Sequence, residues 1–400
     1  MIHTDVQSAV RSLRGCFTDL LTSVGGDPRR PQELSRRFGV DKTLAWKISR
    51  VIGATETEAA LEHMPGEAAF DILLSALQRA GVKPAEIVRA RSVLKSYRDA
   101  IEHRVGDRST LEIVVDALPS QKRDRLALSR KLAFRGNSGI WGVQARVRVN
   151  TVILKPNAID PQQVDSILIG GWVDFRRMRP DVQWTLFRRR SFRRHAQATH
   201  DVPIDPDEPV NGPMLLRRFC SGSMPQIHAV DGGEAGVAYE LGPGPVGNSG
   251  MFTCFFGSLH ERLGPRVAEG PSEQADFYAM ISAPVETLLF DLIAHESLSI
   301  AHHASVSVHG VLTNTPGVVA GKNQLPVEPQ THEIGGHPPM LTTPLVPEYA
   351  DVIDHTFRQV GWDAREFVGQ RFTLDHPPFP STVVVSFPLE AKPTHTPDAG

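Results

Sequence analysis

PQELSRRFGVDKTLAWKISRVIG, residues 31–53, is the stretch on which the reading of the whole chain turns. It reads as helix, tight turn, helix. Pro31 suits a first helical turn, where its missing N–H costs nothing. Leu34 and Phe38 are four apart and share a face. Ser35 is small, as the crossing of two close helices requires. Gly39 follows the last apolar residue and can take the left-handed conformation that ends a helix. Val40 plugs the turn, and Asp41 or Thr43 supplies an N-cap. Leu44, Ile48 and Val51 or Ile52 then return at helical spacing, which leaves Lys42, Thr43, Trp46, Lys47 and Arg50 for solvent.

Working outward, Val6, Val10, Leu13, Phe17, Leu20, Leu21 and Val24 form an apolar stripe closed by Gly25-Gly26. That predicts a preceding helix, packed across the other two as a three-helix unit. In Leu34, Ser35, Phe38, Gly39, Val40, Ala45 and Ile48 the segment resembles the helix-turn-helix superfamily of bacterial transcription regulators. The resemblance implies that the second helix binds duplex DNA; on its exposed face, helical spacing then assigns Lys42 to phosphate and Thr43 and Lys47 to base edges, with Arg50 a further candidate for a base edge. Trp46 departs from the usual smaller polar residue; it either stacks on a sugar or thymine methyl or is buried against a neighbouring helix. Two other readings stay open. One is an interaction or assembly protein whose helical hairpin docks a protein partner. The other is an enzyme with its site in the C-terminal region.

Composition sets the frame. Four hundred residues, 40% hydrophobic and 22% charged, suit a soluble globular protein of two or three domains. The formal net charge of −2 makes any case for nucleic acid a local one. Residues 1–52 supply that case, with nine Lys/Arg against five Asp/Glu, whereas residues 301–400 hold five against ten. Three scattered cysteines, Cys16, Cys220 and Cys254, argue against a disulfide framework or zinc ribbon and fit a reducing compartment. No leader-like segment and no apolar run of about 18 residues is visible, so a cytoplasmic chain away from membranes is expected.

Helical stripes continue at Phe70, Leu73, Leu74 and Leu77, and at Ile87, Ala90, Leu94, Tyr97 and Ile101. Residues 109–117 suit helix or strand, and a helix from Ser120 to about Phe134 follows. The Gly136-Asn137-Ser138-Gly139 stretch marks the expected domain boundary. From Val143, strict alternation predicts a strand. Further strands are expected at 166–175, 182–187, 304–313 and 381–387, and a helix at 349–360. Segment 285–294 suits helix or strand equally. The fold class is therefore α+β and multidomain. An all-α region, 1–135, carries the helix-turn-helix unit; a β-rich sensor or assembly domain spans 140–390; a loose tail occupies 391–400.

Other constellations carry less. Eight arginines crowd residues 176–194, among them Arg188, Arg189, Arg190, Arg193 and Arg194, with Trp184, Phe187 and Phe192 interleaved. That is a second candidate patch for nucleic acid or an anionic ligand; a solvated strand pair facing the acidic C-terminal segment is the plainer alternative. His332-Glu333 and His337 miss the HExxH zinc spacing by one residue and are broken by two glycines. His303, Ser305, Ser307 and His309 would share one strand face, expected to be exposed and polar. The two Gly-Asn-Ser-Gly segments lack the context of a nucleophile elbow and read as turns. No catalytic residue, metal ligand or cofactor is assigned. Regulators of this kind commonly bind as homodimers, and the 87–101 stripe suits a dimer helix or core packing equally. The residues name no effector.

Overall fold

The structure, a computed structural model, describes residues 3–116, 122–189, 201–221, 224–231, 236–270, 273–298, 303–311 and 323–391. It is an α+β, two-part architecture: helices first, then a β-rich region of three sheets. The chain divides into two compact units, Met1–Leu126 and Ala127–Gly400.

The first unit holds α1 (Thr4–Ser23), α2 (Pro31–Phe38), α3 (Lys42–Gly53), α4 (Thr57–Glu62), α5 (Glu67–Arg79), α6 (Pro84–Arg104) and α7 (Arg108–Asp116). The apolar stripes read from the sequence all face one core. Val6, Val10, Leu13 and Phe17 of α1 meet Leu34 and Phe38 of α2, Leu44, Ile48 and Val51 of α3, and the 70–77 and 87–101 stripes. The 87–101 stripe is thus core packing. Phe17 and Phe70 stack in a tilted pair with centroids 5.4 Å apart. Residues 108–116 are helical.

Helix α8 (Lys122–Trp141) runs straight through Gly136, Asn137, Ser138 and Gly139. The expected end near Phe134 is corrected: glycine costs a helix only about 1 kcal/mol against alanine. The Ser138 hydroxyl, buried, bonds the Phe134 carbonyl at 2.8 Å.

In the second unit the strands are β1 (Val143–Pro156), β2 (Gln163–Arg177), β3 (Trp184–Arg189), β4 (Asp201–Pro203), β5 (Ile227–Asp231), β6 (Val237–Leu241), β7 (Phe252–Pro265), β8 (Gln274–Ile281), β9 (Val285–His295), β10 (Ser305–Gly310), β11 (Gln330–Ile334), β12 (Phe367–Asp375) and β13 (Ser381–Pro388), with α9 at Tyr349–Val360. A seven-stranded sheet runs β11-β12-β9-β1-β2-β7-β4. Its β1–β9 pair is parallel, while the pairings around it are antiparallel. Two three-stranded sheets run β10-β13-β8 and β3-β6-β5.

One face of the large sheet buries Val147, Val149, Ile153, Ile167 and Ile169 against Tyr349, Val352, Ile353 and Phe357 of α9. Segment 285–294, equally suited to helix or strand, is β9. It shows almost no alternation because a central strand covered on both faces is apolar throughout. At Gly170 and Gly171 a Cβ would sit 2.3 Å from the Phe256 ring and 2.6 Å from the Phe255 ring, so the close approach of β7 side chains to β2 demands glycine.

Candidate nucleic-acid interface

The turn between α2 and α3 is built as its residues suggest. Gly39 adopts φ +62°, and an added Cβ there would meet nothing within 4 Å, so only the backbone conformation, not space, favours glycine. The Ser35 hydroxyl donates to the Val40 carbonyl at 2.8 Å and closes the turn. Asp41 is the N-cap of α3, accepting from the backbone N–H of Thr43 at 2.8 Å and of Leu44 at 3.3 Å. Those N–H groups hold its carboxyl below the usual range. The Thr43 side chain is exposed, and its hydroxyl also hydrogen-bonds the Asp41 carboxylate.

Leu44, Ala45, Ile48 and Val51 bury one side of α3. Lys42, Thr43, Trp46 and Arg50 are exposed on the other, with Lys47 half-buried beside them. Trp46 falls between its two expected roles. It is 41% exposed, and its ring meets the His63 imidazole edge-on with centroids 5.0 Å apart. The Arg50 guanidinium lies over the same indole at 5.3 Å, which fixes its stem along α3. Burial pushes the His63 pKa down; the nearby Glu62 pulls it up, and the cations Arg50, Arg125 and Lys47 push it down further.

Two other cations of the basic head are spent on backbone carbonyls. Arg14 donates to the carbonyls of Ile52, at 3.0 Å, and Ala54, tying α1 to the end of α3. Arg37 donates to the Val24 carbonyl at 2.7 Å. Ser49 reaches the Pro28 carbonyl. Arg30 stands 3.6 Å from both Asp27 and Glu33. Arg14 and Arg37 are thus spent on backbone carbonyls around α2 and α3, apart from the row on the outer side of α3.

Among the described arginines of the second candidate patch, Arg176, Arg177, Arg179 and Arg189 are engaged within the protein and Arg188 is not. Arg176 donates to Asn248 Oδ1 at 3.1 Å. Arg177, 1% exposed, bonds the carbonyls of Val182 and Gly242. Arg179 bonds the Ile140 carbonyl at 3.3 Å, and Arg189 those of Val210 at 2.6 Å and Gly212 at 3.4 Å. Arg188 is exposed. Arg190, Arg193 and Arg194 lie outside the described residues.

Among the described residues, no group of three His, Cys, Asp or Glu side chains is placed to hold a metal. His332 lies on β11 and His337 in the turn beyond it. Ser305, Ser307 and His309 alternate on β10, but the expectation of an exposed face is corrected: His309 is 5% exposed and its Nε2 lies 2.9 Å from Ser307 Oγ. Of the two Gly-Asn-Ser-Gly segments, Gly247–Gly250 is a 3-10 turn and the other is helical.

Two polar clusters escaped sequence reasoning, because their members come from distant strands. Ser258 Oγ lies 2.8 Å from His260 Nε2, and His260 Nδ1 lies 2.9 Å from Asp201 Oδ1. The trio has the residue types of a hydrolytic triad. However, the imidazole is 2% exposed and the Ser258 backbone sits in the β4–β7 pairing, so the contacts stitch an edge strand to the sheet. The Asp291 carboxylate, fully buried, accepts two bonds from Arg371 at 2.9 and 2.7 Å and one from Tyr349 OH at 2.8 Å. Tyr349 OH also lies 2.7 Å from Thr151 Oγ1. Burial pushes the Asp291 carboxyl up, against the pull of Arg371 and Tyr349. This network joins β1, β9, β12 and α9.

No protein-family model matches the chain, and no curated protein is significantly similar to it. Among the described residues, no helix is long and apolar enough to cross a membrane.

Proposed function

We propose that the helical unit binds duplex DNA sequence-specifically through the outer face of α3, and that the chain is a transcriptional regulator. The β-rich unit then senses a ligand or mediates assembly, including as a homodimer. The observation that carries the reading is the row Lys42, Thr43, Trp46 and Arg50, with Lys47, on the solvent side of a helix whose opposite side is locked into a core. A rigid helix presenting cations and a polar side chain outward suits major-groove readout. The bracing by Arg14, Arg37 and Ser49 supports the same reading, since base contacts need a fixed helix.

Selection of bound fragments from a random duplex pool at stated salt tests it. Enrichment of one sequence supports a regulator. Binding without enrichment makes the protein architectural. No binding overturns the reading in favour of a protein-docking hairpin.

A further inference from the structure

In the helical unit, α4, α5, α6 and α7 line a half-open cavity of about 370 Å³, within the size range of small-ligand sites. Its floor is apolar, made by Leu61, Met64, Leu94 and Ile101, all buried. Phe70 and Tyr97 supply aromatic walls, and burial pushes the Tyr97 hydroxyl pKa up to about 12, so it stays neutral.

The rim is acidic: six carboxylates stand against three guanidiniums. Each guanidinium is matched already, Arg98 to Glu67, Arg108 to Glu112 and Arg125 to Glu62, every pair at 3.0 Å. Asp71 lies 3.1 Å from Arg91, and Asp107 accepts the Thr110 N–H. Glu102, on the exposed side of α6, is used by none of these pairs. Apolar floor, aromatic walls and surplus carboxylate together complement an organic cation.

The cavity wall also reaches the α3 face. Glu62 lines the cavity and lies 3.8 Å from His63 Nε2. The His63 ring packs on Trp46, over which Arg50 lies. A cation bound in the cavity competes with Arg125 for Glu62, the carboxylate beside His63 at the edge of that face.

We propose that this cavity binds a small organic cation with an apolar aromatic body, and that its occupancy tightens DNA binding by α3. The second half rests on the DNA-binding reading; the first half does not.

Tetraphenylphosphonium, titrated calorimetrically into the full chain, is the probe, with tetraphenylborate as an anion of the same shape. The phosphonium is expected to bind one to one and the borate not to bind. Glu102→Gln, an exposed change that leaves the fold intact, is expected to weaken binding about five-fold, the factor that follows from about 1 kcal/mol of screened attraction. Leu94→Trp fills the floor and should abolish binding in a protein whose melting is retained. Equal binding of both ions, or an unchanged Kd in Glu102→Gln, overturns the site.

With DNA from the selection, saturating phosphonium should tighten binding about five-fold, the low end of typical couplings, and leave Leu94→Trp unaffected. Unchanged DNA affinity with the probe bound overturns the coupling alone. Phosphonium binding in a protein that binds no DNA overturns the α3 reading and leaves the site standing.

Discussion

Replacing Arg371 with Met strips Asp291 of its two guanidinium bonds while keeping most of the side-chain volume. Asp291 is completely buried, so its carboxylate would retain only the Tyr349 hydroxyl as a close partner. An ionised carboxyl so placed takes up a proton instead. Holding it protonated at pH 7, against an unfolded value of about 3.9, costs about 1.36 kcal/mol per pH unit, or roughly 4 kcal/mol in all. Breaking a buried pair typically costs about 3–5 kcal/mol, in agreement.

A carboxyl whose folded pKa is raised above the unfolded value contributes stability below the unfolded pKa and loses it as pH rises. Arg371→Met should therefore regain up to about 2.7 kcal/mol between pH 7 and pH 5, less whatever the parent gains from its own raised Asp291 carboxyl. Arg371→Met combined with Asp291→Asn should recover at least half of the loss, because no buried charge remains. Urea unfolding followed by tryptophan fluorescence measures this, since Trp141, Trp172, Trp184 and Trp362 all belong to the β-rich unit. A parent-like midpoint for Arg371→Met, or a loss with no pH slope, would show that the network does not bind β9, β12 and α9 in this way.

Gly39→Val should destabilise the helical unit by roughly 1–2 kcal/mol through backbone strain at positive φ, whereas Gly39→Asn should cost less; equal melting of all three proteins would mean that the turn is not left-handed. Lys47→Ala should change the preferred base at one position, at a cost of about 1–3 kcal/mol to the best site, while Lys42→Ala weakens all sequences alike; a panel of single-base operator variants separates the two. Because burial holds the His63 pKa below the ordinary imidazole value, the ring gains charge only as the solution is acidified. DNA affinity should then rise on acidification, and His63→Gln should flatten that rise; a parent-like pH profile in the variant would exclude the imidazole from the binding face.

Much of the helical unit was legible because its periodicity is undisturbed. The stripe from Val6 to Leu21, the glycine at 39 and the returns at Leu44 and Ile48 each obey one local rule, and each helix is amphipathic against a single core. Strand β1 announced itself through Val143, Ala145, Val147 and Val149 for the same reason. Strands β7 and β12 did not. Phe252, Cys254 and Phe255 of β7 break simple alternation where register shifts interrupt the β2–β7 pairing, and Gly369-Gln370-Arg371 hides a central-sheet strand behind polar residues whose partners are remote in sequence.

The candidate site divides in the same way. Exposure of Lys42, Thr43, Trp46 and Arg50 followed from helical spacing. The contact of Trp46 with His63 did not, since it depends on how α4 returns to α3. Nor could spacing distinguish an arginine facing solvent from Arg177 or Arg14, whose charges end on backbone carbonyls.

The parallel pairing of β1 with β9 bears on how the chain acquires its structure. The chain leaves β1 at Pro156 and supplies its partner only from Val285 onward, with β2 to β8 in between. Closing so long a loop is entropically costly and slow, and pairings remote in sequence delay folding. The helices of the first unit need only nearby partners, and they emerge first during synthesis. Staged folding is the expectation: the helical unit sets early, and β1 and β2 find their partners only once the far half of the sheet has been made. That interval is the point at which crowding and chaperone supply govern the yield of native protein.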